Sequence, residues 1–306
     1  MMRPAYLAWI AVCLIWGTTS LGIRVALETI PPALVGGIRY TLAGIILAAV
    51  LAARGVRLPG RSHWAGLALV GALMIAVGNG GVIWAEQWVP SGIAALLVAA
   101  SPFWMAGIEA LIPGGERLSL RGFLGLMVGF GGIVLLVWPD LFGAGANGRQ
   151  FALGVVALQV ACLGWAAGSS YSRRHGRAEN ALAAAALQML FGGFLMLAVA
   201  TVAGEWARLT FTARSLSAEI YLLVIGSLVG YPAYVYALKH LPVTTVSLYA
   251  YINPVIAVLL GTALLDEPFG PRVVVATILV FLGSGVVRWA GKNGAAARAV
   301  DPRAAA

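Results

Sequence analysis

Two carboxylates lie within or at the edge of long apolar segments, where an acid is costly and is therefore a candidate for function. Glu86 ends the third such segment, and Glu109 lies near the end of the fourth. In this setting a carboxylate exchanges protons or binds an ammonium group. Both are candidates for proton coupling, and Glu86 is also a candidate for substrate binding. The structural alternatives are that Glu86 caps a helix end and that Glu109 reaches toward Arg117 or Arg121.

Two tryptophans lie in the middle of apolar segments, whereas lipid-facing tryptophans are enriched at helix ends. Trp16 and Trp165 are 149 residues apart, in the matching stretches Cys13–Trp16 and Cys162–Trp165. An indole ring that faces a cavity stacks on a flat ligand or holds a cation over its face. Helix–helix packing is the alternative. We expect both rings to belong to a substrate site.

Polar residues near the middle of the third and eighth segments also correspond. Asn79 and Tyr231 match at a shift of 152 residues, and Gly78 and Pro232 are among their neighbours. Small residues there let helices approach or bend. Tyr234 lies about one helical turn beyond Tyr231, so the two share a helix face. Asn79, Tyr231 and Tyr234 are predicted to bind substrate.

Two prolines interrupt the fourth and ninth segments near their middles. Pro102 and Pro254 each remove one helical hydrogen bond and free a carbonyl oxygen, which needs a partner away from water. Ser101 and Asn253 immediately precede them and add polar groups at the same depth. We expect these helix breaks to line a cavity, with Ser101 and Asn253 contacting substrate. A packing kink with locally satisfied carbonyls is the alternative.

The elements that position these residues must be membrane spans. The chain is 61% hydrophobic and 10% charged, whereas about a quarter of the residues in a soluble domain are charged. Apolar segments of about 20 residues, long enough to cross a bilayer, recur along the chain. We predict an all-α integral membrane protein with ten transmembrane helices. The predicted spans are 5–26, 33–53, 64–86, 91–112, 120–138, 151–172, 180–204, 216–238, 243–264 and 271–290.

The chain contains an internal repeat. At the shift of 149 residues, Arg24 also corresponds to Arg173, and Gly44 corresponds to Gly193. Each copy holds five spans, an odd number, so the second copy crosses the membrane in the opposite direction. Inverted repeats of this kind are typical of secondary transporters. We predict a first repeat over residues 5–138, an inverted second repeat over 151–290 and a disordered cytoplasmic tail over 291–306.

The net charge of +9 is better explained by membrane orientation than by nucleic-acid binding. Most of the 20 basic residues fall in segments on the same side as the N-terminus. Cytoplasmic loops carry the excess of Lys and Arg in membrane proteins. We therefore predict that both termini are cytoplasmic, and that the protein contacts the lipid bilayer and no nucleic acid.

Sequence patterns typical of ATP-driven pumps and of enzymes are missing. Neither lysine stands in a Gly-Lys-Ser or Gly-Lys-Thr sequence, so we expect no ATP binding. The three histidines lie in loops or at helix ends, and the sequence holds no cluster with metal-ligand spacing. We predict that the protein is not an enzyme and uses no cofactor or metal.

Several motifs carry a family resemblance. They are Trp16-Gly17, Gly37-Ile38-Arg39-Tyr40, Gly78-Asn79-Gly80 with Ala85-Glu86, and Tyr249-Ala250-Tyr251-Ile252-Asn253-Pro254. In type and order they resemble the EamA-type transporters of the drug/metabolite transporter (DMT) superfamily, and they are most similar to the YedA-like branch. The resemblance covers residues 8–290 and implies a central cavity lined mainly by helices 1, 3, 4, 6, 8 and 9. We interpret Arg39 as a structural anchor for neighbouring carbonyls.

The resemblance also implies a function. Family members typically export amino acids, drugs or other small metabolites from the bacterial cytoplasm. We predict a carrier that exports amino acids or related amphipathic metabolites across the inner membrane by alternating access. The alternative is a drug or cation efflux carrier of the multidrug type, which would depend more on Glu86 and on the aromatic residues. A monomer and a homodimer both fit the sequence.

Overall fold

The protein is almost entirely helical. The computed structural model describes residues 2–112, 119–141, 146–175, 180–241, 246, 249–267 and 270–300. These residues form α-helices with short 3₁₀ and π-helical stretches, and none of them lies in a β-strand. Seven helices are long and apolar enough to cross a membrane, and three shorter apolar helices lie where the fifth, ninth and tenth spans are predicted. The predicted all-α membrane fold is confirmed.

The helices follow the predicted spans in order along the described part of the chain, and we number them α1 to α10 accordingly. They are α1 (Met2–Ala26), α2 (Pro32–Ala53), α3 (Arg61–Ala85), α4 (Ser91–Leu111), α5 (Leu120–Leu141), α6 (Ala146–His175), α7 (Ala181–Val202), α8 (Ala213–His240), α9 (Tyr249–Leu265) and α10 (Pro271–Val300).

The last helix extends beyond the predicted boundary of the second repeat. Residues 291–300 continue α10, where the sequence analysis expects a disordered tail. The physical reason is composition, because this stretch is rich in alanine, the residue with the highest helix propensity. Residues 301–306, the rest of the predicted tail, lie outside the described residues.

Equivalent residues of the two repeats make equivalent contacts where α2 crosses α7. At the α2–α7 crossing, a Cβ atom added to Gly44 would lie 2.7 Å from Leu190, and one added to Gly193 would lie 2.5 Å from the Thr41 nitrogen. Thr41 and Leu190 correspond at the same shift as the two glycines, so the same contact occurs once from each repeat. Glycine at both positions lets the helices cross closely.

Irregular backbone occurs within α3, α4 and α8. The stretch Gly71–Asn79 of α3 and the equivalent Leu222–Gly230 of α8 are π-helical. α4 is divided into Ser91–Val98 and Ser101–Leu111, whereas α9 continues through its proline. Stretches of π-helix are frequent at functional sites, because they move backbone groups out of the regular hydrogen-bond pattern.

Two acidic residues cap the starts of helices that are distant from them in sequence. Glu267 accepts hydrogen bonds from the backbone nitrogens of Ser91 at 2.7 Å and Gly92 at 2.9 Å, so it caps the start of α4. Glu205 accepts one from the Leu34 nitrogen at 3.1 Å, near the start of α2. A carboxylate stabilises a helix N-terminus, because it satisfies free N–H groups and faces the positive end of the helix dipole.

Candidate functional site

Four aromatic rings from both repeats meet near the middle of the bundle. The ring centroid of Trp16 lies 5.4 Å from that of Trp165, 5.1 Å from Tyr234 and 5.2 Å from Tyr249. Tyr234 also packs against Trp165 at 5.2 Å and Tyr249 at 5.8 Å. We call these four side chains the aromatic layer. Such ring pairs contribute stability beyond the area they bury.

A cavity of about 100 Å³ lies against the aromatic layer, and we call it the central cavity. It is large enough for several water molecules or for part of a small ligand. The helices that line it are α1, α3, α4, α6, α8 and α9, as the family resemblance implies, together with α2. The predicted site residues in its wall are Trp16, Asn79, Ser101, Trp165, Asn253 and Pro254.

The polar end of the central cavity contains an arginine that the sequence analysis interprets only as an anchor. Arg39 is 2% exposed and lines the cavity beside Tyr40 and Asn79. Its Nη2 donates to the Tyr40 hydroxyl at 2.7 Å and to Asn79 Oδ1 at 3.5 Å. Among the described residues, its Nε and Nη1 have no hydrogen-bond partner. The Arg39 guanidinium therefore has unmade hydrogen bonds at two buried nitrogens beside the cavity.

The two proline positions differ in structure. The Ser101 hydroxyl donates to the Val98 carbonyl at 2.6 Å, which satisfies the group that Pro102 frees. With its amide nitrogen facing two carbonyls, Asn253 donates to Tyr249 at 3.0 Å and to Cys13 at 2.9 Å. Pro254 lines the central cavity, whereas Pro102 is not among its lining residues. The break in α4 is thus locally satisfied, and it still places Val98 and Ser101 in the cavity wall.

Two predicted substrate residues lie outside the central cavity. Tyr231 is fully buried, and its hydroxyl donates to Gln188 Oε1 at 2.8 Å. Tyr234 belongs to the aromatic layer, and its hydroxyl lies 3.2 Å from that of Ser169. Neither tyrosine is among the residues that line the central cavity, so neither touches a ligand there without a change of conformation.

A second, larger cavity of about 910 Å³ lies beyond Tyr234, and we call it the vestibule. Its wall includes Tyr234, Gln188 and residues at the ends of α3, α6, α7 and α8, among them Arg173 and Lys239. These helix ends are on the side of the bundle where α1 begins. The aromatic layer therefore separates a space on this side from the central cavity, whose polar end is on the opposite side.

Glu86 is 0% exposed and lies just beyond α3, outside the set of residues that line the central cavity. Neither of its carboxylate oxygens has a hydrogen-bond partner among the described residues. The electrostatic neighbours of this carboxyl are Ser20, which lines the central cavity, and the charged side chains of Glu267, Arg24 and Arg39. Glu86 therefore lies one side chain behind the cavity wall.

Glu109 lies in a cluster of donors on α6. Its carboxylate accepts hydrogen bonds from Ser170 Oγ at 2.6 Å, Arg173 at 2.5 Å and Arg174 at 2.6 Å. Of the partners considered in the sequence analysis, Arg121 lies over the Trp289 ring, and Arg117 is outside the described residues. The ion pairs therefore join α4 to α6, since helix packing brings the end of α6 next to Glu109.

A third acid, which was not predicted as a site residue, lies within a span. Glu219 lies in α8, is 4% exposed, and has no hydrogen-bond partner for either oxygen among the described residues. Its charge interacts with that of Arg39. Counting acids inside the predicted span 216–238 would have found Glu219, but only packing places it near Arg39 on α2.

The described residues offer no obvious place for a metal ion. Within them, no three His, Cys, Asp or Glu side chains come together in an arrangement suited to one. The two cysteines, Cys13 and Cys162, are buried and free, and Cys162 lines the central cavity. The side chains in the wall of the central cavity offer ring stacking, hydrogen bonding and ion pairing.

Comparisons with known proteins agree on a transporter. The model of the EamA-like transporter family matches residues 3–138 and again residues 152–289. The chain is 34% identical to the inner membrane transporter YedA of Escherichia coli (strain K12), over 92% of each chain. It is 24% identical to the transporter YvbV of Bacillus subtilis (strain 168), over 95% of this chain and 94% of that one. A solved structure described as "Crystal structure of protein" matches with a TM-score of 0.66 at 20% identity, covering 94% of this chain and 98% of the other.

Proposed function

Because the chain belongs to the EamA-like transporter family, we propose that it is a secondary transporter that exports amino acids or related amphipathic metabolites by alternating access. The YedA relative is named as an inner membrane transporter, and we assign this chain to the bacterial inner membrane. Transport would be driven without ATP hydrolysis, by a substrate or proton gradient.

One observation carries the proposal: two cavities lie on either side of an aromatic layer to which both repeats contribute. Trp16 comes from the first repeat, and Trp165, Tyr234 and Tyr249 come from the second. In alternating access, rocking of one repeat against the other opens the site to one side at a time. A layer formed by both repeats separates and re-forms during such a movement, so it is suited to act as a gate.

We propose that transport runs outward. With the N-terminus in the cytoplasm, as the distribution of Lys and Arg predicts, the vestibule opens toward the cytoplasm. Its volume of about 910 Å³ is much larger than the 100 Å³ of the central cavity. An exported substrate would be collected in the vestibule, pass the aromatic layer and leave through the central cavity.

Drug or cation efflux remains the second candidate function, and the aromatic layer is the observation that favours it. Rings hold cations over their faces, and Glu86 and Glu219 are buried nearby. Against it, neither acid is among the residues that line the central cavity, whereas Arg39 is. A permanent cation in this cavity would meet the guanidinium first. We therefore favour substrates that are not simple cations.

Flux measurements on purified protein test the proposal. Liposomes that contain the protein, and liposomes without it, would be given radiolabelled amino acids and, separately, a quaternary ammonium dye. We expect saturable uptake of one or more amino acids that requires the protein. Saturable uptake of the dye alone would favour the efflux alternative. Absence of saturable uptake for every compound would contradict the transporter proposal.

A further inference from the structure

We propose that Arg39 binds the carboxylate of the substrate in the central cavity, so that the protein recognises small amphipathic carboxylic acids, including amino acids. This inference rests on the proposed transport function and adds the group by which the substrate is recognised.

The geometry of Arg39 fits this role. Its side chain is almost completely buried, yet it lines the central cavity. Tyr40 and Asn79 contact Nη2 and hold the guanidinium in place. Nε and Nη1, which do not share an edge of the guanidinium, are both buried and have no partner among the described residues. Each leaves an unmade hydrogen bond that a carboxylate oxygen would satisfy, and arginine is the side chain best suited to pair with carboxylates in buried sites.

The two acids near Arg39, Glu86 and Glu219, do not hydrogen-bond to its unpaired nitrogens. None of the ion pairs found among the described residues involves Arg39, Glu86 or Glu219. Both acids interact electrostatically with Arg39, but neither acid lines the central cavity. An incoming carboxylate therefore meets the guanidinium and not the two acids. A buried cation with unmade hydrogen bonds gains strongly from such a partner.

The inverted repeat shows that the fold itself does not require an arginine here. Arg39 corresponds to Gln188 at the shift of 149 residues, and Asn79 corresponds to Tyr231 at 152. In the second repeat, Gln188 accepts a hydrogen bond from Tyr231 at 2.8 Å. In the second repeat, two neutral residues join α7 to α8. In the first repeat, the equivalent helices α2 and α3 are joined by an arginine whose hydrogen bonds are incompletely satisfied. The extra charge is therefore available for a ligand.

The rest of the cavity wall defines the other end of the substrate. Trp16, Trp165 and Tyr249 present aromatic surface to the same cavity. A ligand whose carboxylate binds Arg39 would place its apolar part against these rings. The combination selects molecules with one carboxylate and one apolar group, and it disfavours permanent cations that lack an acid.

The test compares each amino acid with its own amide, because the amide keeps the amine and the side chain but loses the carboxylate. Melting temperatures of the purified protein in detergent would be measured with the twenty amino acids and with their amides, since a ligand that binds the folded state raises the melting temperature. We expect one or more acids to stabilise the protein and the matching amides to fail. Equal stabilisation by acids and amides, or none by any acid, would overturn the inference.

Variants assign the effect to Arg39. Arg39→Gln places in the first repeat the residue that the second repeat already uses, so we expect it to fold. It should weaken acid binding by roughly 30-fold or more, and Arg39→Lys should fall between it and the wild type. Arg214→Gln removes a more exposed arginine paired with Glu28, and should leave acid binding unchanged. Unchanged acid binding in Arg39→Gln would contradict the assignment.

A second variant tests the same site without removing the arginine. Asn79→Asp places a carboxylate 3.5 Å from Arg39 Nη2, where it should pair with the guanidinium and compete with the substrate. We expect the acids to bind more weakly, while the melting temperature of the protein without ligand does not fall. Full acid binding in this variant would also count against Arg39. Saturable flux with an unchanged KM in Arg39→Gln would refute this inference but leave the transport proposal intact.

Discussion

Trp16 and Trp165 occupy equivalent positions in the two repeats, and their rings touch each other edge to face, with centroids 5.4 Å apart. Equivalent residues of the two repeats therefore contact each other directly in the aromatic layer. Each ring lines the central cavity, so a movement of either repeat changes both the layer and the cavity.

The first prediction concerns the aromatic layer. Trp16→Phe keeps an aromatic ring but removes part of the contact with Trp165, Tyr234 and Tyr249. Because Trp16 lines the central cavity, the smaller ring also loses about 1 kcal/mol of contact with the substrate, and we expect the KM for flux to rise by roughly fivefold. Flux into liposomes measured over a range of substrate concentrations checks this value.

The matched control for the tryptophan variant is Trp206→Phe. Trp206 is exposed, lies outside both cavities, and donates to Thr201 at 2.9 Å. Its replacement should leave KM unchanged. Equal effects of the two substitutions would mean that Trp16 acts only through general stability.

The second prediction concerns Glu86. Glu86→Gln removes an acid that is fully buried and has no hydrogen-bond partner among the described residues. A buried carboxyl group with unmade hydrogen bonds is costly, so the melting temperature should stay the same or rise. If Glu86 carries the coupling proton, the dependence of flux on pH should also flatten. A pH profile identical to that of the wild type would rule out coupling through Glu86.

The third prediction separates Glu109 from this role. Its carboxylate is held by Arg173 and Arg174, so we expect Glu109→Gln to lower the free energy of unfolding by about 1 kcal/mol. The pH dependence of flux should be unchanged. Glu28→Gln, which breaks the more exposed pair with Arg214, should lower the free energy of unfolding by less than Glu109→Gln does. A flattened pH profile in Glu109→Gln would reassign proton coupling to this residue.

The fourth prediction concerns the cap that connects the second repeat to α4. Glu267→Ala leaves the backbone nitrogens of Ser91 and Gly92 without their acceptor. We expect a loss of about 1–2 kcal/mol in the free energy of unfolding, measured by thermal melting. Asp266→Asn is the control, because Asp266 has a φ of 52°, which asparagine tolerates. Similar losses in both variants would contradict a specific cap.

Hydropathy was sufficient to predict the helical spans, because a continuous apolar segment of about 20 residues satisfies its own backbone hydrogen bonds in a bilayer only as a helix. The predicted spans that end near Ala26 and Ala53 match α1 and α2 closely. Trp16 and Trp165 were predicted as a pair because the repeat aligns them. The family resemblance, in turn, implied most of the helices that line the central cavity.

Contacts between helices could not be predicted from one sequence. How the helices rotate about their axes determines three of the contacts described above. These are the partners of Glu109, the position of Glu219 near Arg39 and the unpaired nitrogens of Arg39. Hydropathy does not determine that rotation. Tyr231 illustrates the limit, since it has the right depth for the cavity but its hydroxyl bonds to Gln188.

The most direct test of alternating access through the central cavity uses a thiol placed in its wall. Thr19 lines the cavity, whereas its neighbour Thr18 does not. Thr19→Cys and Thr18→Cys, each in a background with Cys13 and Cys162 replaced by alanine, would be reacted with a membrane-impermeant thiol reagent applied to one side of the membrane at a time. We predict that the transported substrate slows modification of Thr19→Cys and leaves Thr18→Cys unchanged. A rate for Thr19→Cys that does not respond to substrate from either side would contradict transport through this cavity.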